Sequence, residues 1–179
     1  MDILKKYNER IFISSILCDL SYNFYSNIHN FSMLPTILGS SILTILNSSD
    51  ISSDIMKIIN ISINGLNTVI LALMNSYKVT DRVNNFKNNK IKFTKLNHLC
   101  ESILNKSDID SLPSGDIKNT IDNIINEYDK IQEELIYQYP SHIRNKVIKK
   151  FGSSYTLPNS LEIDNSIIKA DFINQVQQV

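Results

Sequence analysis

Two stretches of the chain carry no acid, lysine or arginine. One lies between Asp19 and Asp50, with its apolar part from about Phe31 to Leu46; the other is the 20 residues from Ile58 to Tyr77, between Lys57 and Lys78. Both are rich in Ile and Leu, and a short acidic connector holding Asp50 and Asp54 joins them. A helix rises about 1.5 Å per residue, so such a run covers roughly the 30 Å hydrocarbon layer of a bilayer. The pattern predicts an all-α protein with a two-helix transmembrane hairpin over about residues 30–47 and 57–77.

The flanking segments have helical periods of their own. Residues 1–27 place Ile3, Leu4, Tyr7, Ile11, Ile16 and Leu17 at mostly helical spacing before the aromatics Tyr22, Phe24 and Tyr25, which suits an amphipathic helix ending at a membrane interface. Past the second stretch, Val83, Phe86, Phe93 and Cys100 mark one side of a long helix over about 78–105. The segment of about 116–138 then steps through Ile117, Ile121, Ile124, Tyr128, Ile131 and Leu135 by fours and threes, a coiled-coil-like seam. The two predict a cytosolic helical hairpin, antiparallel, joined by a turn at Pro113 and Gly115. Pro140 ends it, a short basic helix of Ser141 to Phe151 follows, and Gly152 supplies a stop. The domain reading is 1–27 amphipathic helix, 28–77 hairpin, 78–152 helical hairpin with basic helix, and 153–179 polar tail.

Uncharged polar residues run through both apolar stretches. Thr36, Ser40 and Thr44 recur every four residues beside Gly39, and Asn60, Asn64 and Asn67 follow at steps of four and three in the second stretch. In lipid such stripes must face protein or water, which makes these seven residues candidates for helix–helix contact or for lining a pore. A soluble helix also has one polar face, and the mean hydropathy of −0.11 is modest, so a soluble coiled-coil interaction module is the alternative. Soluble helices usually put Lys or Glu on that face, and these two put none there.

Charge adds orientation. Lys5, Lys6 and Arg10 precede the hairpin, a basic run follows it, and the connector holds only acids until Lys57; both termini are therefore expected in the cytosol. From Lys78 to Lys106 seven bases stand against two acids, a net +5, and from Ser107 to Tyr139 two bases against eight acids, a net −6. Adjacent segments of opposite sign favour the antiparallel pairing. The overall charge is zero, and no nucleic-acid partner is expected.

Little in the chain resembles reaction chemistry. His29, His98 and His142 are isolated from other ligands at metal-binding spacing, Asp108 and Asp110 lead into Leu112 and Pro113 where a calcium loop needs oxygen and glycine, and no glycine-rich phosphate loop exists. Cys18 and Cys100 read as reduced thiols, Cys100 as a seam residue. No enzyme activity and no cofactor are expected.

The order of parts, with MLPTILGSSILTILN, ISINGLNTVILALMNSYKVTDRV and NNKIKFTKLNHLCESIL in sequence, resembles the two-transmembrane SLATT family, including versions carried by large eukaryotic DNA viruses; the later NEYDKIQEELIYQYPSHIRNKVIKKFG is similar to the continuation in those viral members. The resemblance covers roughly residues 10–152 and contains no catalytic signature. It implies a two-span membrane protein with a cytosolic helical hairpin, and proposed membrane-perturbing or pore-forming roles in bacterial members. This chain shows no sensor or nucleotide-synthesising domain beside the spans. For a viral member the resemblance implies residence in a host-derived or virion inner membrane. The expected partners are then membrane lipid, further copies of the chain, and capsid or other virion proteins, with a structural or pore-forming role.

Overall fold

The structure, a computed structural model, describes residues 2–48, 52–105 and 114–161, with the side chains of 114–117 left aside. Among the described residues it is all-helical: α1 (Asp2–Asn47), α2 (Ser53–Ser76), α3 (Val79–Leu104), α4 (Ser114–Glu133) and α5 (Ser141–Phe151). The chain divides into two compact units, Met1–Ser21 with Asn85–Val179, and Tyr22–Asn84.

The first unit has a conventional apolar core. Leu4, Ile11, Ile13 and Leu17 of α1 pack with Phe86, Phe93, Leu96 and Cys100 of α3 and with Ile124, Tyr128 and Ile131 of α4, all buried. Polar contacts fix the directions. Ser15 meets Thr94 at 3.1 Å and Asp19 accepts from Lys90 at 2.6 Å, so α1 and α3 run oppositely. Gln132 donates to Ser14 at 3.2 Å, and the Tyr7 and Tyr128 rings sit edge to face at 5.7 Å, so α1 and α4 run together. The antiparallel relation of α3 and α4 expected from the seam is present: Phe93 faces Tyr128 near one end, and Phe86 stacks on Tyr139 near the other. Lys92 pairs with Glu134 between them, while Lys90 turns to α1.

The amphipathic helix expected over residues 1–27 packs against this pair instead of standing apart, and α5 adds buried Ile143, Val147 and Ile148, so the first unit is one helical bundle rather than a two-helix hairpin. A two-stranded seam leaves half of each Phe exposed; residues 2–21 of α1 close that side. Of the seam residues, Val83 in the second unit is half-buried, as are Ile121 and Leu135 here; Leu135 lies past the end of α4, and the side chain of Ile117 is outside the described residues. The part of the tail that is described is not free: Leu157, Pro158 and Leu161 are buried, and Glu9 accepts from both the backbone N–H and the hydroxyl of Thr156 at 2.9 and 2.8 Å. Asp108 and Asp110, and the tail beyond residue 161, lie outside the described residues.

One boundary differs from expectation. Instead of one helix ending near residue 27 and another starting near 30, α1 runs unbroken from Asp2 to Asn47. Pro35 therefore sits in a helix interior rather than a first turn, where its ring removes the N–H that would reach the Phe31 carbonyl. Nearby, the Thr36 hydroxyl donates to Ser32 O at 3.3 Å. The expected division between about 57–77 and 78–105 is present as a break between α2 and α3. Lys78 has φ of 48°, in the left-handed region, and its N–H donates to Asn75 O at 3.0 Å, which ends α2 before α3 begins.

Candidate functional site

The second unit holds α1 from Tyr22 onward, α2 and the start of α3. Its helices have the composition of a core and the exposure of a surface. α2 has no buried residue, and in the later part of α1 only Leu43 is buried. Phe31 is 80% exposed, Ile61 73% and Ile58 66%, with Leu34, Ile37, Leu38, Ile42, Ile45, Val69 and Leu73 also outward. Two helices, Asp2–Asn47 and Ser53–Ser76, are long and apolar enough to cross a membrane, and only 6% and 11% of their most apolar windows are buried. A core helix of a soluble protein would have those windows mostly covered.

α1 and α2 touch along one narrow face. On α2 it consists of Met56, Asn60, Ile63, Asn67, Ile70 and Met74, at alternating steps of four and three, with Ile59 beside them, each half-buried. On α1 it includes Thr36, Gly39, Leu43 and Leu46. A Cβ built on Gly39 would stand 3.0 Å from Ile63 Cγ2 and 3.5 Å from Asn67 Oδ1, so the missing side chain is what admits the neighbour. Asn60 Nδ2 donates to Asn47 Oδ1 at 3.3 Å. Asn47 meets Asn60 while Gly39 meets Ile63 and Asn67, so the two helices pass in opposite directions.

The seven polar candidates thus divide. Thr36, Gly39, Asn60 and Asn67 lie on the contacting side, whereas Ser40, Thr44 and Asn64 are exposed. The aliphatic contacts Leu43, Leu46, Ile63 and Ile70 were not singled out by sequence; in a wholly apolar run no aliphatic position stands out from the next. At about 100° per residue, Asn64, Thr68 and Asn75 fall within about 40° of each other on one flank of the α2 contact face, and Ser40 and Thr44 form the matching flank of α1. Because the helices are antiparallel and both right-handed, the two flanks turn to the same side, the one on which Asn47 meets Asn60.

The polar groups on that side differ in how far they are satisfied. Hydroxyls bond back to their own helix: Ser40 to Thr36 O at 2.9 Å, Thr44 to Ser40 O at 3.0 Å and Thr68 to Asn64 O at 2.8 Å. The side-chain amides of Asn64 and Asn75 have no hydrogen-bond partner among the described residues. At the end of the unit away from the connector, the Arg82 guanidinium lies over the Tyr25 ring at 5.2 Å, donates to its hydroxyl at 2.8 Å and reaches Tyr77 O at 3.1 Å.

In the first unit, burial raises the Cys18 thiol to about 12, partly offset by the Tyr139 hydroxyl 3.6 Å away and reinforced by Asp19. Burial likewise raises Cys100 to about 11. Neither thiol has the depressed pKa of a reactive cysteine. His98 is mostly exposed while Cys100 is buried, so the two do not share a face. No group of three metal-ligating side chains occurs among the described residues. Comparison with protein-family models, with curated proteins and with solved structures returned no match.

Proposed function

We propose that the protein is an integral membrane protein. Residues about 30–47 of α1 and about 57–77 of α2 cross the bilayer as a hairpin, and both termini lie on the cytosolic side. One observation carries this reading: two adjacent helices, each uncharged over a run of spanning length, expose the Phe, Ile and Leu side chains of those runs around most of their circumference. In water such a surface is far beyond the few hundred Å² a soluble monomer exposes, and in lipid it is the favourable one. The Tyr25, Tyr77 and Arg82 cluster suits the headgroup level at the cytosolic end.

The polar side supplies the second part of the proposal, self-association. Hydroxyls that bond to their own helix can face lipid at small cost, but an unbonded amide cannot, and Asn64 and Asn75 each meet that need when a second copy presents its own polar side. The resemblance adds the setting, a viral or virion inner membrane in which an associating anchor serves as a scaffold or, with its polar sides around a common axis, as a pore. The self-contained core of the first unit favours an alternative, a soluble all-helical interaction module.

Carbonate extraction of membranes from expressing cells separates the two readings. Retention in the pellet is expected; release of the whole chain into the carbonate supernatant refutes membrane integration. Asn64→Leu should lower the oligomer mass in detergent, and an unchanged mass removes that residue from the contact. Dye-loaded liposomes carrying the protein decide between roles, since vesicles that never leak exclude the pore.

A further inference from the structure

The break between α2 and α3 opens a cleft of about 290 Å³ within the second unit, lined by His29 and Met33 of α1, Leu71, Met74 and Asn75 of α2, and Lys78, Thr80 and Asp81 where α3 begins. Leu71, Met74 and Met33 supply apolar side chains to its lining, and Lys78 and Asp81, past the end of α2, supply charged ones. The two charges line one cavity, yet neither is in an ion pair among the described residues. Lys78 has a left-handed backbone, uncommon for a non-glycine residue, at the point where α2 ends.

An apolar lining beside an unpaired cation and an unpaired anion matches an amphiphile whose head carries both signs. We propose that this cleft binds a phospholipid with a phosphoethanolamine headgroup. The phosphate sits against the Lys78 ammonium, the primary ammonium of the ligand donates to the Asp81 carboxylate, and one acyl chain lies over Met33, Leu71 and Met74. The depth fits: Ile58 to Tyr77 spans about 30 Å of helix, so Lys78 falls at the edge of the hydrocarbon, where phosphates lie. A choline headgroup has no N–H to give Asp81, and a glycerol headgroup has no cation, so both are poorer ligands. The proposal rests on membrane integration as put forward above.

The full chain is reconstituted in nanodiscs with equal parts of phosphatidylethanolamine, phosphatidylcholine and phosphatidylglycerol of the same acyl chains, and co-purifying lipid is read by native mass spectrometry. Phosphatidylethanolamine should be retained about fivefold over phosphatidylcholine, the size one exposed charge pair supports. Asp81→Asn should erase that preference, and Lys78→Gln should lower retention of all three lipids. Free phosphoethanolamine at millimolar concentration should fail to displace the bound lipid, because it lacks the chain that covers the apolar lining. Equal retention of the three lipids, an Asp81→Asn protein with the preference intact, or displacement by the free headgroup overturns the proposal. Each of those results leaves membrane integration standing provided the chain resists carbonate, whereas a chain that carbonate releases removes both readings.

Discussion

Leu66 offers the sharpest test of whether α2 sits in lipid. It is 58% exposed, off the face that meets α1, and within two residues of the middle of the Ile58–Tyr77 run, about 2 Å from the midplane of a spanning helix. In water, Leu66→Arg exchanges one good helix former for another on an open surface, a change of no more than about 0.5 kcal/mol. At the centre of a bilayer, arginine costs about 2.5–3.5 kcal/mol to insert, where leucine contributes about −0.5. The difference of about 3–4 kcal/mol is a factor of several hundred in the insertion equilibrium. Ile55→Arg is the control: it is equally exposed but lies in the first turn of α2, where a long side chain reaches the headgroups and the cost largely disappears. The assay is the fraction of each variant that resists carbonate after insertion into microsomes, with helix content by circular dichroism as the check on folding. The expected order is wild type close to Ile55→Arg and well above Leu66→Arg. If the two arginine variants behave alike, α2 does not cross lipid at that depth, and the argument from exposure fails.

Three further outcomes follow from the bundle. Phe93 is fully buried against Tyr128, so Phe93→Ala should lower the stability of the first unit by about 3–5 kcal/mol, measured by denaturant titration of the detergent-solubilised chain. The backbone N–H of Thr156, with help from its hydroxyl and from Lys5, holds the Glu9 carboxyl below the ordinary carboxylate range against the opposing effect of burial. A lowered folded pKa gives stability that is present above about pH 4.3 and lost as pH falls through the folded value, so acid should free residues 152–161 to protease and Glu9→Gln should abolish that pH step. Cys18 and Cys100, raised to about 12 and 11 by burial, should resist alkylation at pH 8 until denaturant is added, and rapid labelling of either in the folded chain would contradict the packing.

Periodicity goes furthest where local chemistry settles the matter. The basic helix Ser141–Phe151 begins after Pro140 and ends before Gly152 as expected, although Gly152 keeps a right-handed φ of −63°, and the Phe86, Phe93, Tyr128 and Ile131 seam is buried as its spacing requires. It goes less far at Pro35. Proline favours a first turn, but residues on both sides continue the same helix, and one missing N–H is a smaller cost than ending α1.

The sequence by itself determined which segments are helical, which side of each is apolar, and that two of them are uncharged over a membrane-spanning length. Those properties belong to one segment at a time. Only the tertiary structure decided that the first 21 residues complete the core of α3 and α4, and that Leu43 and Ile63, rather than the full run of Ser and Asn residues, carry the contact of α1 with α2. The physical reason is that a periodic pattern gives a helix a face but no partner. Which faces meet depends on side-chain shape summed over both helices, and at Gly39 on a 3.0 Å approach that no single stretch of sequence encodes.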